Sequence, residues 1–362
     1  PNDPWTGATK PRFLDRVDAH LHLTPGEHAK LRANGFVVLD RVAYDNYASA
    51  FHDVFQEQLP LYVGVDPVLH AVFRGTELVL ERVEKKRLLP ALDALLKKLR
   101  AGLAASKGRY DAETLADLDV YLGVARELAR SETDDPGAPG EDLAPRPARR
   151  PAGGSSSGSD LSFAPAPSSD GRRREPVSLF GHDDEVRALA NEGRLENGGL
   201  KEVTLFGRPR MVDFSQLAPR GHYAARDPSS LSGGMRRYFR ALMWLSRLEF
   251  NLVSRSCKSS HPGETPDPAE TPREARDALA LAELVERSGA LGELAAFEEV
   301  YSAFAGGRED VSAPALLRLM REGGFSARDA DAPARLRAAV GGGFRRKARL
   351  HFMPQNSPEL PA

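Results

Sequence analysis

Apolar residues recur at helical spacing along most of the chain. Phe51, Phe55 and Leu59 stand four apart, so they share one side of a helix over residues 47–59. Leu69, Phe73, Leu80, Val83 and Leu88 supply the apolar side of a longer helix, which Asp66-Pro67 can start and Pro90 should kink or end. Leu92, Leu95, Leu96 and Leu99 continue the pattern, and residues 111–130 read as another helix. Thr24-Pro25-Gly26-Glu27 has the capping-box form with Pro at the first helical position, and Gly35 stops that helix. Further on, helical patterning covers residues 183–194, 229–254, 272–287, 291–305, 313–322 and 327–340.

Extended stretches are few and short. Phe36-Val37-Val38-Leu39, Leu61-Tyr62-Val63-Gly64-Val65 and residues 348–353 read as extended. Val203-Thr204-Leu205-Phe206 and Met211-Val212-Asp213-Phe214 flank Gly207-Arg208-Pro209-Arg210 as a hairpin, with Pro209 leaving the turn type open. The expected fold is mainly α, a multi-helical single domain with a few short strands or one hairpin.

Both periodicities fail over residues 131–176, where 8 Pro, 6 Gly and 8 Ser accompany a single aromatic, Phe163. Such a stretch cannot bury enough apolar surface to offset a backbone entropy cost of roughly 1–2 kcal/mol per residue. A disordered loop is expected there. Residues 1–22 are expected to be extended, 23–130 and 177–355 to form the two parts of the helical domain, and 356–362 to be a tail.

Charge narrows the function classes. The 362 residues carry 50 Lys+Arg against 51 Asp+Glu, a net charge of −1, which speaks against a nucleic-acid binder acting by phosphate neutralisation. One cysteine, Cys257, excludes an internal disulfide and a multi-cysteine zinc site. Even the apolar stretch 241–253 contains Arg247 and Glu249, so no transmembrane segment is expected. The sequence opens at Pro1 without a charged-then-apolar leader, so any signal peptide or lipid-anchor segment is expected to have been removed or left out. Of the basic residues 40 are Arg and 10 Lys, which with abundant Ala points to a GC-rich genome.

The least ordinary segment runs from Asp213 to Arg247. On a helix advancing 100° per residue, Arg237, Arg240, Trp244 and Arg247 fall on one narrow face, while Tyr238, Leu242 and Leu245 cover a second side and Phe239, Met243 and Phe250 a third. A helix apolar on two sides is buried, so its arginines must meet carboxylates or a wet cavity. With Arg220, His222 and Tyr223 from the preceding stretch they form a candidate ligand-binding set. Pairing with acids of neighbouring helices, with Trp244 as ordinary core, is the competing explanation.

Other chemistry is sparser. His20-Leu21-His22 has a metal-site spacing without accompanying carboxylates, and His182-Asp183-Asp184-Glu185 is accounted for by the helix dipole. No metal or cofactor is therefore expected. Asp66 and His70, four apart, are weak catalytic candidates with His222, although Asp66 also suits a helix cap and His70 an ordinary helix position. Arg172-Arg173-Arg174 and Arg345-Arg346-Lys347 read as solvated runs. Phosphate-binding and nucleotide-binding glycine loops are absent from the sequence, and no Gly-x-Ser-x-Gly follows an expected strand as a nucleophile elbow would.

Phe206-Gly207-Arg208, Asp213-Phe214-Ser215-Gln216, Pro219-Arg220-Gly221-His222-Tyr223 and the run from Arg237 to Arg247 resemble the signature of a bacterial family catalogued as domain of unknown function 3160. The run from Leu31 to Val38, that from Leu59 to His70 and the closing Phe352-Met353-Pro354-Gln355 are similar to it as well. The resemblance implies a secreted or lipid-anchored protein. It also implies an N-terminal portion of a longer domain, since members extend past the point where this sequence stops. It supplies no activity.

Two functions from different classes fit. One is an extracytoplasmic helical protein that binds an anionic or sugar-containing ligand through Arg220, His222, Tyr223, Arg237, Arg240, Trp244 and Arg247, with Arg clasping an anion and Trp or Tyr stacking on a sugar. The other is a glycan-active enzyme of helical-toroid type using Asp66 with His70 and His222. Glycoside hydrolysis needs two carboxylates, and the sequence offers no convincing second one.

Overall fold

The structure is a computed structural model, and it describes residues 11–130, 176–224, 232–254, 270–308, 310–340 and 349–354. The expected loop over 131–176 lies outside these residues save for Pro176, as does the expected tail. The chain divides into two compact units, Pro1–Leu80 and Glu81–Ala362.

The first unit holds α1 (Leu14–Leu21), α2 (Pro25–Asn34), α3 (Tyr47–Gln56) and most of α4 (Val65–Val83). The N-terminal stretch is helical over α1 rather than extended throughout, because Leu14, Val17 and Leu21 share a half-buried side. Thr24 makes both hydrogen bonds of its capping box, and Gly35 ends α2 at φ 79°. Residues 36–38 and 61–64 carry no strand. Among the described residues of this unit none is fully buried, so Phe55 is 70% exposed instead of marking a buried side. Polar contacts hold the unit together: His20 and Tyr44 both bond Asp53, and Arg41 reaches Glu27 and the Leu21 and His22 carbonyls.

The second unit has a conventional core. It comprises α5 (Leu89–Ala104), α6 (Ala112–Ala129), α7 (Asp183–Arg194), β1 (Leu200–Leu205), β2 (Arg208–Asp213), α8 (Ser232–Arg247), β3 (Glu249–Asn251), α9 (Pro272–Arg287), α10 (Leu291–Ala305), α11 (Ala313–Gly323), α12 (Ala332–Val340) and β4 (Arg349–His351). Pro90 does not end the helix before it. A single π turn, Glu84–Leu88, carries α4 into α5, with Pro90 in the first turn of α5. The mixture of many helices with two small antiparallel sheets makes the protein mainly α.

Helices α6 and α9 are buried almost all round, and α6 packs on α5, α7, α8 and α9. Asp119 of α6 is 2% exposed and accepts hydrogen bonds from Ser178 Oγ and from the Leu179 and Phe180 amides. It thereby fixes the chain entering α7. The hairpin turns at Phe206-Gly207 rather than at 207–210, since both residues have positive φ, 56° and 74°, as a two-residue type I′ turn requires. Pro209 lies within β2 opposite Thr204. That non-hydrogen-bonded position of a two-residue hairpin asks nothing of its missing N–H.

Helix α8 ends at Arg247, earlier than its apolar pattern suggests, and Phe250 belongs to β3, paired with Leu350 of β4. Phe250 packs against Phe206 and Tyr121 at 4.4 and 5.1 Å between ring centres. Helix α12 begins at Ala332 because Asp329 takes the Ser326 amide and the Ala327 amide donates to Glu283, a local turn that competes with earlier helix.

Candidate functional site

Helix α8 packs on α5, α6, β4 and the turns Phe214–Leu217 and Gly221–Tyr223, and its arginine–tryptophan face divides among different neighbours. Trp244 is 1% exposed, and its indole N–H donates to the Tyr121 carbonyl at 3.0 Å, while the Tyr121 hydroxyl donates to the Leu245 carbonyl at 3.0 Å. It is core, with no face left for a ligand. Arg240, 6% exposed, donates to the Arg194 carbonyl and to Glu196, which also pairs with Arg236. Arg237 is half-buried, and no hydrogen bond or ion pair joins it to another described residue.

Arg247 is half-buried at the end of α8, where it donates to Gln216 Oε1 at 3.4 Å. Burial and the nearby Arg220 guanidinium push its pKa down, with Asp213 working against them. The Asp213 oxygens are meanwhile engaged by the Ser215 amide and hydroxyl and by the Gln216 side chain. Arg220 lies over the Phe239 ring at 5.8 Å, and on that ring also rests Tyr223, at 4.6 Å.

The strip continues to a carboxylate that the sequence reading missed. Glu84, 1% exposed in the π turn, bonds His222 Nε2 at 2.7 Å and accepts from the Tyr223 hydroxyl. Desolvation raises the Glu84 pKa more than those two bonds lower it. The hydroxyls of Tyr223, Tyr238 and Tyr301 are held protonated, mainly by burial and also by the charge of Glu84. A half-buried histidine backed by a buried carboxyl can pass or accept a proton. The signal for Glu84 was present: it stands four residues before Leu88, where the stripe Leu88, Leu92, Leu95 and Leu99 calls for an apolar side chain.

Asp66 and His70 are both exposed in the first unit. Helix α4 already starts at Val65, so Asp66 lies inside its first turn rather than before it, and His70 meets the Tyr47 ring edge-on at 5.5 Å. The carboxylate that His222 bonds is Glu84. No three His, Cys, Asp or Glu side chains gather as a metal site among the described residues.

A family model described as Protein of unknown function (DUF3160) matches residues 24–340. The chain belongs to this family. The DUF3160 match takes in every expected site residue together with Glu84 and both hairpin strands. No curated protein and no solved structure matches the chain. Much of the segment that carries the family resemblance builds the fold. Arg208 pairs with the buried Glu274, and Arg210, 7% exposed, bonds Glu249 at 2.8 Å and lies over the Phe206 ring. Among the described residues no helix is long and apolar enough to cross a membrane.

Proposed function

We propose that this DUF3160 protein binds an anionic or sugar-containing ligand at the strip from Arg247 through Arg220 and Tyr223 to His222. The observation that carries the reading is geometric: Arg220 and Tyr223 share the Phe239 ring, and beside them Arg247 has its pKa lowered first by burial and then by the Arg220 charge. Like charges brought together raise the energy of the free protein, and an anion accepting from both guanidinium groups recovers it. Arg237 adds a cation with no partner among the described residues. Trp244 and Arg240 drop out of the binding set in favour of structural roles.

The test is thermal unfolding of the full chain with glucuronate, and with sodium chloride at equal ionic strength. A ligand at one hundred times its Kd stabilises by about 2.7 kcal/mol. Glucuronate should raise Tm in the wild type, and by less than half as much in Arg220→Ala and Arg247→Ala. Equal shifts in all three proteins would remove both arginines from the site.

A glycan-active enzyme is the second reading, favoured by the Glu84–His222 pair, which takes the place first assigned to Asp66. Release of reducing ends from polysaccharide by wild type but not by Glu84→Gln supports it, and an inactive wild type counts against it. Family resemblance supports an extracytoplasmic location, secreted or lipid-anchored in a bacterium, which fractionation of the native cells can refute by finding the protein in cytosol.

A further inference from the structure

A separate cleft lies between α9 and α11, with a volume of about 580 Å³, within the range of small-molecule sites. Leu317 and Met320 of α11 contribute apolar surface to it, and Arg109, Arg287 and Arg321 bring three guanidinium groups. The three lining acids are Glu283, Glu286 and Asp329. All three make hydrogen bonds within the protein, Glu286 accepting from Arg321. Glu283 accepts from the Ala327 amide, the Tyr110 hydroxyl and Arg109, and Asp329 accepts from the Ser326 amide and hydroxyl.

The donors are less fully used. Arg109 donates through Nη2 to Glu283, which leaves others of its five N–H groups, and Arg287 makes no hydrogen bond or ion pair with another described residue. A ligand here must therefore bring acceptor oxygens. Charge decides which kind. Three arginines face three acids, so the formal charge of the lining is zero. The C-termini of both α9 and α11 end at this cleft, each worth about half a negative charge. That balance gives a full anion no net attraction, while hydroxyl groups can accept from guanidinium and donate to the exposed Glu286 carboxylate beside its bond to Arg321.

We infer that the cleft takes a neutral polyhydroxylated ligand, of mono- or disaccharide size, with Arg109 and Arg287 donating to its oxygens. This inference does not rest on the strip at Arg220 and Arg247. The test is calorimetric titration of the full chain with maltose, cellobiose, lactose and chitobiose, and with glucuronate as the anionic comparison. At least one neutral disaccharide should bind, about tenfold more weakly to Arg287→Ala, and with unchanged affinity to Lys201→Ala, an exposed cation outside both the cleft and the strip. Arg287 is exposed, so its replacement leaves the fold intact; Arg109→Lys, which keeps the charge but not the forked guanidinium, should also weaken binding. The inference is overturned if none of the four binds, if binding ignores Arg287 and Arg109, or if glucuronate binds this cleft more tightly than the neutral sugars.

Discussion

Asp277 shows at the scale of one residue how a buried acid sets its own pH dependence. It is 0% exposed on α9, and as a carboxylate neither of its oxygens has a donor. Burial, and then the nearby Asp117, push its pKa well above the usual range, Thr114 and Arg273 opposing. Asp277 thus keeps its proton near Asp117, which Arg273 grips at 2.6 and 3.0 Å. A raised folded pKa means that stability from this group is complete below the unfolded value, near pH 4, and is lost as pH rises toward the folded one, by up to about 1.4 kcal/mol per pH unit. Asp277→Asn keeps the shape and a donor while removing the ionisation. It should melt higher than wild type at pH 8, with the gap closing at pH 4; a gap independent of pH would refute the raised pKa of Asp277. Nothing in the one-dimensional pattern pairs Asp117 with Asp277, 160 positions apart. The arginine–tryptophan face of α8 was legible for the same reason that its partners were not: angular spacing is local, and Glu196, Tyr121 and Gln216 come from elsewhere.

At the scale of elements, the helices α7, α9 and α10 fall where their apolar periods put them, because core contact and local propensity agree there. The hairpin was legible as two strands, but its turn was misplaced by Pro209, which the register puts on an outward-facing site. The true turn depends on Gly207. A Cβ built there would lie 2.7 Å from Arg273 Cδ and Nη1, and its φ is +74°. Left-handed backbone costs a side-chain-bearing residue roughly 1–2 kcal/mol, and Arg273 must also give way, loosening its hold on Asp117. Gly207→Ala should therefore lower Tm by several degrees. Gly207→Asn separates the two costs, since Asn tolerates the left-handed region but still adds a Cβ. If Asn restores most of the loss, backbone strain dominates; if neither change affects urea denaturation, the close approach is not needed for stability.

Across the whole molecule the two units differ in what holds them. Both flanks of residues 131–175 enter one core in the unit Glu81–Ala362, where Leu95, Leu118, Tyr121, Leu279 and Phe297 are wholly buried. The described part of Pro1–Leu80 has helix caps and ion pairs but no fully buried side chain, with Tyr62 at 89% and Phe36 at 65% exposure. Exposed ion pairs contribute about 0–1 kcal/mol each, whereas burying one Leu or Phe contributes about 1.5–3 kcal/mol. The first unit therefore opens locally at little free-energy cost. Native-state hydrogen exchange of the full chain should show amides of α2 and α3 exchanging through openings of no more than about 2–3 kcal/mol, while those of α6 and α9 exchange only near global unfolding. Protection in α3 equal to that in α6 would mean that the apolar surface around Phe55 and Tyr62 is covered in solution, and the difference in stability between the units would then be wrong.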